Sequence, residues 1–347
     1  MSLTAIAYGA YDHLPVPDFI TRKAVDLLVG RTRLALAQPD KDISARFAKE
    51  MAERPIAEHT DAANAQHYEI PDAFFGLVLG PRRKYSCCLY DTPTTTLAEA
   101  EDRSLAETCV HADLADGQRI LELGCGWGSL TLWMAEHYPN AQITSVSNSS
   151  SQREYIETVC RAKGFSHVRV ITADMNVFEP STHGAQSLTF DRVVSVEMFE
   201  HMANWRALLT RVKTWLEPTG KLFLHVFTHK AAPYRFETED KADWIAQYFF
   251  TGGIMPSHDL PHQYADLFKV DADWKWNGTH YQRTAEDWLA NFDAQRPAVR
   301  AILEPVYGAD VLMWERRWRG FFLATAGLFG HAKGEEWAVS HYRMSPV

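Results

Sequence analysis

One stretch constrains this chain more than any other: ILELGCGWGSL, residues 120–130. An apolar run ends in Gly124, Gly126 and Gly128, and an apolar helical pattern follows at once. Turning a strand into a helix within so few residues requires backbone conformations that glycine adopts readily, and glycine also lets a ligand approach the main chain. The surrounding region repeats one rhythm. RILELG (119–124), QITSVS (142–147), HVRVITAD (167–174), DRVVSVEM (191–198) and GKLFLHVFT (220–228) read as short apolar strands. Helical patterns in SLTLWMAEHY, SSQREYIETVCRAKG and NWRALLTRVKTWL lie between them. Strands alternating with helices at this spacing predict an α/β fold, a doubly wound, Rossmann-like parallel sheet. Its ligands should lie outside the carboxyl ends of the strands, near the point where strand order reverses.

The flanks read differently. Residues 1–66 are expected to form an N-terminal helical extension to a core over 67–228. Within the extension, FITRKAVDLLVGRTRLALA (19–37) is a basic amphipathic helix that packs on its own domain or, in the alternative, lies on a membrane surface. Residues 229–333 break the strand–helix rhythm, with YFFTGGIMPSHDLP at their heart, and predict an inserted cap and C-terminal helices over the site. The alternation in GEEWAVSHYRM (334–344) predicts that 334–347 return to the core as a last strand. A net charge of −9 argues against a nucleic-acid partner. The five cysteines are odd in number and lack CxxC spacing, so neither a disulfide framework nor a zinc site is expected. The start of the chain lacks a basic, then apolar, leader pattern, and no apolar run approaches the ~20 residues of a membrane span. These features predict a cytoplasmic protein.

The acid two residues before the first glycine, Glu122, says what the turn holds. It would repel a pyrophosphate, whereas S-adenosylmethionine carries an ammonium and a sulfonium that favour a nearby carboxylate. No Walker-type lysine follows the glycines. Gly124 and Gly126 are therefore expected against that cofactor. The second strand ends in Ser147 and Asn148 where dinucleotide enzymes carry an acid, so these residues and Gln152 are expected to bond the ribose hydroxyls. Asp174, ending the third strand, can accept from the adenine amino group or cap the turn that follows. VEMFEHM, ending the fourth strand, puts Glu197, Glu200 and His201 at the rim of the site. Methyl transfer from a sulfonium to an amine needs the free amine, so a carboxylate to hold the ammonium and a histidine to take its proton form a fitting pair. We expect Glu200 to bind the amine, His201 to act as general base and Glu197 to support them. EMFEH lacks the paired histidines of a zincin, and no metal is expected.

Taken together, QHYEIPDAFFGLVLGPRRKYSCCLY, ELGCGWGSL, SNSSSQREYIE, VEMFEHM, HKAAPYRFE, YFFTGGIMPS, GTHYQRT and LFGHAKGEEW resemble the coclaurine N-methyltransferases. These belong to a wider group that contains cyclopropane fatty acid synthases and mycolic acid methyltransferases. The resemblance runs from about residue 64 to the end. It implies a class I methyltransferase sheet, S-adenosylmethionine as cofactor with S-adenosylhomocysteine as product, and a small aromatic or cyclic amine as acceptor. It further implies that Tyr68, Tyr85 and Ser86 line the cofactor pocket, that the acids and histidine of VEMFEHM carry catalysis, and that Phe329 and Trp337 wall the amine pocket. The wider group suggests a second activity. Cyclopropane synthases hold a bicarbonate ion, and the matching positions here read Cys87, Glu200, His225 and Tyr281. A lipid acyl chain is thus the alternative acceptor, and a catalytically silent cofactor-binding scaffold a third reading. Trp314, Trp318 and Phe322 are expected in the core, and an exposed aromatic helix in the cap would suit a homodimer.

Overall fold

The fold was obtained as a computed structural model, and the structure describes residues 11–12, 14–38, 40–58, 70–236 and 244–347. Its centre is a seven-stranded sheet with spatial order β3-β2-β1-β4-β5-β9-β8. The strands β1 (Arg119–Leu123), β2 (Gln142–Ser147), β3 (Val168–Thr172), β4 (Phe190–Val196) and β5 (Leu216–His229) run parallel. β9 (Trp337–Pro346) lies antiparallel between β5 and β8 (Phe268–Trp276). Strand order reverses at β1 and β4, so their carboxyl ends open a crevice, the usual ligand position in such sheets.

Residue alternation explains why these runs are strands. Leu121, Leu123, Val193, Leu222 and Leu224 enter one core, where Trp205, Leu208 and Val212 of α7 (Trp205–Trp215) cover them. Their chain neighbours Ile120, Val194 and Phe223 enter the opposite core, against Leu105 of α4 (Leu97–His111) and Leu130 and Met134 of α5 (Ser129–His137). A sheet covered on both faces needs apolar side chains at successive positions, which is the pattern read from the sequence. α4 starts at a capping box: the Thr96 hydroxyl accepts from Glu99 N–H, and the Glu99 carboxylate accepts from Thr96 N–H at 2.8 Å. α6 (Ser150–Lys163) follows β2.

A second apolar body sits over the crevice. It joins α3 (Asp72–Val78), α9 (Thr279–Ala294), α10 (Arg296–Tyr307) and α11 (Val311–Gly330) through Phe74, Phe75, Trp288, Phe292, Leu303, Trp318 and Phe322. α2 (Ile43–Met51) packs instead under the sheet, through Phe47 and Met51. The basic helix expected near residues 19–37 is α1 (Asp18–Ala35). It packs on this body, where Arg319 of α11 holds Asp18 and Asp293 together and Arg22 pairs with Glu286 of α9. Helix-to-helix approach is close, since a Cβ at Gly327 would lie 2.4 Å from Val25 Cγ1.

The sequence reading missed one strand. Residues 229–333 were expected as cap and C-terminal helices, and part of that segment is β8, at the edge of the main sheet. FKVDADWKW alternates apolar and charged residues because one face of an edge strand stays wet. Charges at Lys269, Asp271, Asp273 and Lys275 hid the strand from a reading tuned to buried parallel runs. The rest of the insertion holds the two-stranded pair β6 (Tyr234–Arg235) and β7 (Ile254–Met255), and the short helix α8 (Trp244–Tyr248).

Candidate active site

A cavity of about 1060 Å³ fills the crevice, with β1, β2 and β4 ends on its floor and α1, α11 and the cap as walls. Small-molecule sites commonly span ~300–1,000 Å³, so this one has room for a cofactor together with an acceptor. Gly126 has a φ of +50°, and a Cβ there would project into open cavity rather than into protein. Gly124 differs: φ is +78° and a Cβ would lie 2.5 Å from Met198. Both positive φ values favour glycine, and at Gly124 packing against Met198 excludes a side chain as well, whereas at Gly126 the space is open cavity.

Glu122, Ser147, Asn148, Gln152 and Asp174 line the same end of the cavity, as do Tyr85 and Ser86. The Ser147 hydroxyl donates to Gln152 Oε1 at 2.7 Å, which fixes both groups at the end of β2. Asp174 caps the turn that follows, its Oδ1 accepting from Asn176 N–H at 2.8 Å, and the residue also lines the cavity. Glu122 is held more firmly than expected. Its Oε2 accepts from the hydroxyls of Thr131 (2.5 Å) and Ser145 (3.0 Å), and burial pushes its carboxyl up to about 7 despite these bonds. The indole N–H of Trp127 is buried on the cavity wall and finds no partner among the described residues. A buried carboxyl, an unpaired donor and a glycine facing open space fit a polar cationic ligand such as S-adenosylmethionine. Tyr68 lies outside the described residues.

The other end of the cavity belongs to Glu197. This non-glycine residue has a φ of +48°, a conformation that costs ~1–3 kcal/mol and persists only where its surroundings impose it. Three groups do so. Oε1 accepts from Cys87 N–H at 2.9 Å and lies 3.2 Å from His225 Nε2, and Oε2 accepts from the Tyr281 hydroxyl at 2.7 Å. Burial raises the Glu197 carboxyl, while the buried Lys84 ammonium, the Cys87 amide and Tyr281 pull it back. His201 stands on the cavity wall with its ring 4.4 Å from Phe250. Phe227, Phe236, Phe250, Phe329 and Tyr281 complete an aromatic wall, Tyr281 and Phe329 being stacked at 4.4 Å.

Several expected positions move. Glu200 was expected on the amine, but it is fully buried and does not line the cavity. Its Oε1 accepts from Phe227 N–H at 2.7 Å, and burial next to Glu197 holds its carboxyl well above the usual range. The physical reason is the short 3-10 turn Phe199–His201, which turns Glu200 inward while Glu197, one turn earlier, faces the cavity. Cys87, His225 and Trp337 also lie one layer behind the wall: Cys87 and His225 bond Glu197, and Trp337 donates to the Tyr234 hydroxyl at 3.1 Å. Trp318 and Phe322 are core, as expected. The wall residues Ile20, Ala24 and Leu28 of α1, with Phe227, Phe236 and Phe250, were missed. Helical spacing in α1 signalled a buried stripe but not what it would face.

A doubly wound sheet with this turn, this acid and an aromatic-walled crevice defines a class I S-adenosylmethionine-dependent methyltransferase. The comparisons narrow the class. Residues 57–331 match the model of the mycolic acid cyclopropane synthetase family, and the chain belongs to that family. Within it the chain is similar to N-methyltransferases. It is 35% identical over 336 residues to an (S)-coclaurine N-methyltransferase of Thalictrum flavum subsp. glaucum, covering 94% of this chain and 91% of that one. It is 33% identical over 298 residues to the pavine N-methyltransferase of the same plant, covering 85% and 82%. A crystal structure of coclaurine N-methyltransferase bound to N-methylheliamine and S-adenosylhomocysteine superposes with a TM-score of 0.93 at 32% identity, covering 99% of this chain and 100% of that one.

Proposed function

We propose that the chain methylates the nitrogen of a small cyclic or aromatic amine, with a tetrahydroisoquinoline as the model acceptor. The observation that carries this reading is the placement of the Glu197 carboxylate among the donors Cys87 N–H, Tyr281 O–H and His225, beside an aromatic wall. Those are three of the four groups expected to hold a bicarbonate ion in the cyclopropanating alternative; the fourth, Glu200, is buried behind the cavity wall. Here the protein's own carboxyl group already takes these three partners, so they are not free to hold a second anion. The same carboxylate, facing an aromatic pocket, suits an ammonium, which aromatic faces also attract by ~0.5–2 kcal/mol each.

Gly124, Gly126, Ser147, Gln152, Asp174 and Glu122 would hold S-adenosylmethionine, which supplies an electrophilic methyl group when bound. Glu197 accepts an N–H bond from the ammonium and orients the nitrogen toward the methyl. His201, on the same wall, takes the proton and frees the lone pair for in-line displacement. The aromatic wall excludes water, which strengthens each of these interactions. Glu200 acts from behind, where its Oε1 holds the Phe227 amide in place. No helix among the described residues is long and apolar enough to cross a membrane. We place the enzyme in the cytoplasm, where its five free, buried cysteines stay reduced.

The test is the fate of the transferred carbon. With a cofactor whose methyl carries three deuteriums, transfer to nitrogen delivers all three to tetrahydroisoquinoline. Ring closure on a lipid chain must discard one. A phospholipid product retaining two deuteriums, with no labelled amine, would overturn the proposal and leave fold and cofactor site standing.

A further inference from the structure

Three histidines connect Glu197 to the far side of the sheet. His225 Nε2 lies 3.2 Å from Glu197 Oε1, and His225 Nδ1 lies 2.8 Å from His341 Nε2. His341 Nδ1 in turn lies 2.8 Å from His111 Nδ1, and His111 Nε2 lies 3.1 Å from Glu107 Oε1. His225 and His341 are fully buried, and His111 is 6% exposed, whereas the Glu107 side chain is 24% exposed. Every ring nitrogen in the series is thereby used, which is unusual for three histidines that touch neither cavity nor metal.

The fold builds this line deliberately in the physical sense that register fixes it. β5 pairs with β9 so that His225 stands opposite His341, and β8 pairs with β9 so that Trp274 also faces His341. His111 is the last residue of α4, and its ring stacks on Trp274 at 3.9 Å with planes 8° apart. Trp276 packs against both His225 and His341. The rings are clamped in the orientations that align their nitrogens.

We propose that His225, His341 and His111 form a proton path between Glu197 and Glu107, through which Glu197 ionises when a cationic amine enters the cavity and regains its proton when the cavity empties. The inference rests on the amine reading above. One passage balances as follows. Glu197 gives its carboxyl proton to His225 Nε2, and His225 Nδ1 passes its own to His341 Nε2. His341 Nδ1 passes to His111 Nδ1, and His111 Nε2 passes to Glu107, which loses the proton to water. Each ring ends neutral with its N–H on the other nitrogen, and the net change is one proton moved from Glu197 to solvent. The reverse passage after product release restores the starting tautomers.

The electrostatics agree with neutral relays. Burial lowers all three histidines, with Lys84 acting further on His225 and His341, and Arg103 and Arg343 acting on His111. Glu107 opposes this at His111, while burial and then the neighbouring Glu197 raise Glu200. An imidazolium is disfavoured anywhere in the interior, so a concerted shift of N–H bonds is the way a proton crosses. An ammonium in the cavity supplies the differential that draws Glu197 to its charged form, since a buried carboxyl gains most from ionising when a cation is beside it.

The test uses the full-length enzyme loaded with S-adenosylhomocysteine and labelled with ¹⁵N-histidine. Ring N–H exchange of His225 with solvent should slow on the order of 10-fold or more in His341→Gln, because glutamine keeps hydrogen bonds but cannot pass a proton through itself. His111→Gln, at the solvent end, should do the same and serves if the interior variant fails to fold. A purely structural role predicts the opposite, since loosened packing speeds exchange. Exchange unchanged or faster in both variants would overturn the path. A second arm mixes tetrahydroisoquinoline with the loaded enzyme and a pH indicator. Wild type should release a proton within the binding phase, and His341→Gln should release it at least about 10-fold later. Prompt release in the variant would also overturn the path. No release even in wild type, with the exchange result intact, would count against the amine reading and not against the path.

Discussion

The Tyr281 hydroxyl donates to Glu197 Oε2 across 2.7 Å, from a helix 84 residues further along the chain. Such a bond favours the ionised carboxylate, because a hydroxyl donor gains most when its acceptor is charged. Tyr281→Phe keeps the ring stacked on Phe329 and removes only that donor. Glu197 should then ionise at higher pH. A charge-assisted bond is worth ~1.5–3 kcal/mol, so the acidic limb of the kcat/KM profile should move up by about one to two units. Activity lost at neutral pH should return at higher pH, as pH–rate profiles of both proteins will show. An unmoved limb would mean that Glu197 does not enter the rate.

His201 touches the cavity and Glu200 does not, so their alanine variants should separate. Loss of a general base costs ~10²–10⁴-fold in turnover and leaves cofactor affinity alone. His201→Ala should follow that pattern in steady-state kinetics with calorimetric binding as control. Glu200→Ala frees the Phe227 amide inside the core and should lower melting temperature as well as rate. A stable, fully active His201→Ala protein would move the base elsewhere.

The two glycines of the turn should also separate. Gly126→Val places a branched side chain in the open cavity and strains a φ of +50°, so it should abolish S-adenosylhomocysteine binding and also lower the melting temperature, without the packing clash of Gly124. Gly124→Ala would collide with Met198 and strain a φ of +78°, so it should lower stability before it affects binding. Calorimetry paired with thermal denaturation distinguishes these outcomes.

Glu122 predicts a proton linkage. Burial pushes its carboxyl up to about 7 in the folded protein, from an ordinary 4.5. The raised value means the folded state holds this proton more tightly than the unfolded chain. This group therefore favours folding fully below the unfolded value, and that contribution is lost as pH rises from 4.5 to about 7. Glu122→Gln should flatten that part of the stability curve, on the order of 1–3 kcal/mol at pH 8. A cationic cofactor reverses the preference by favouring the charged form. Wild type should release a fraction of a proton on binding S-adenosylmethionine near pH 6.5, and the variant none. Titrations in buffers of different ionisation enthalpy read this directly.

Much of the molecule was legible along the chain because its signals are local. The five parallel strands, the glycine turn, and the Ser147–Gln152 and Asp174 positions follow from apolar runs and from residue types at strand ends. The edge strand Phe268–Trp276 was not, since its charged face removes the continuous apolar run. The Glu197–Glu200–His201 cluster was visible, but which acid faces the cavity was not. That depends on a single positive φ at Glu197 and a turn of 3-10 helix after it, and no spacing rule encodes either.

The sequence alone determined the sheet, the cofactor class and the neighbourhood of the chemistry, because each rests on residues a few positions apart. Only the tertiary structure decided that Cys87, His225 and Tyr281 converge on Glu197, and that His111, His341 and His225 align behind it. Those contacts join residues 28 to 230 positions apart through strand register and helix packing. Register is a property of the assembled sheet: a shift of one residue in β9 would turn His341 to the other face and cut the line.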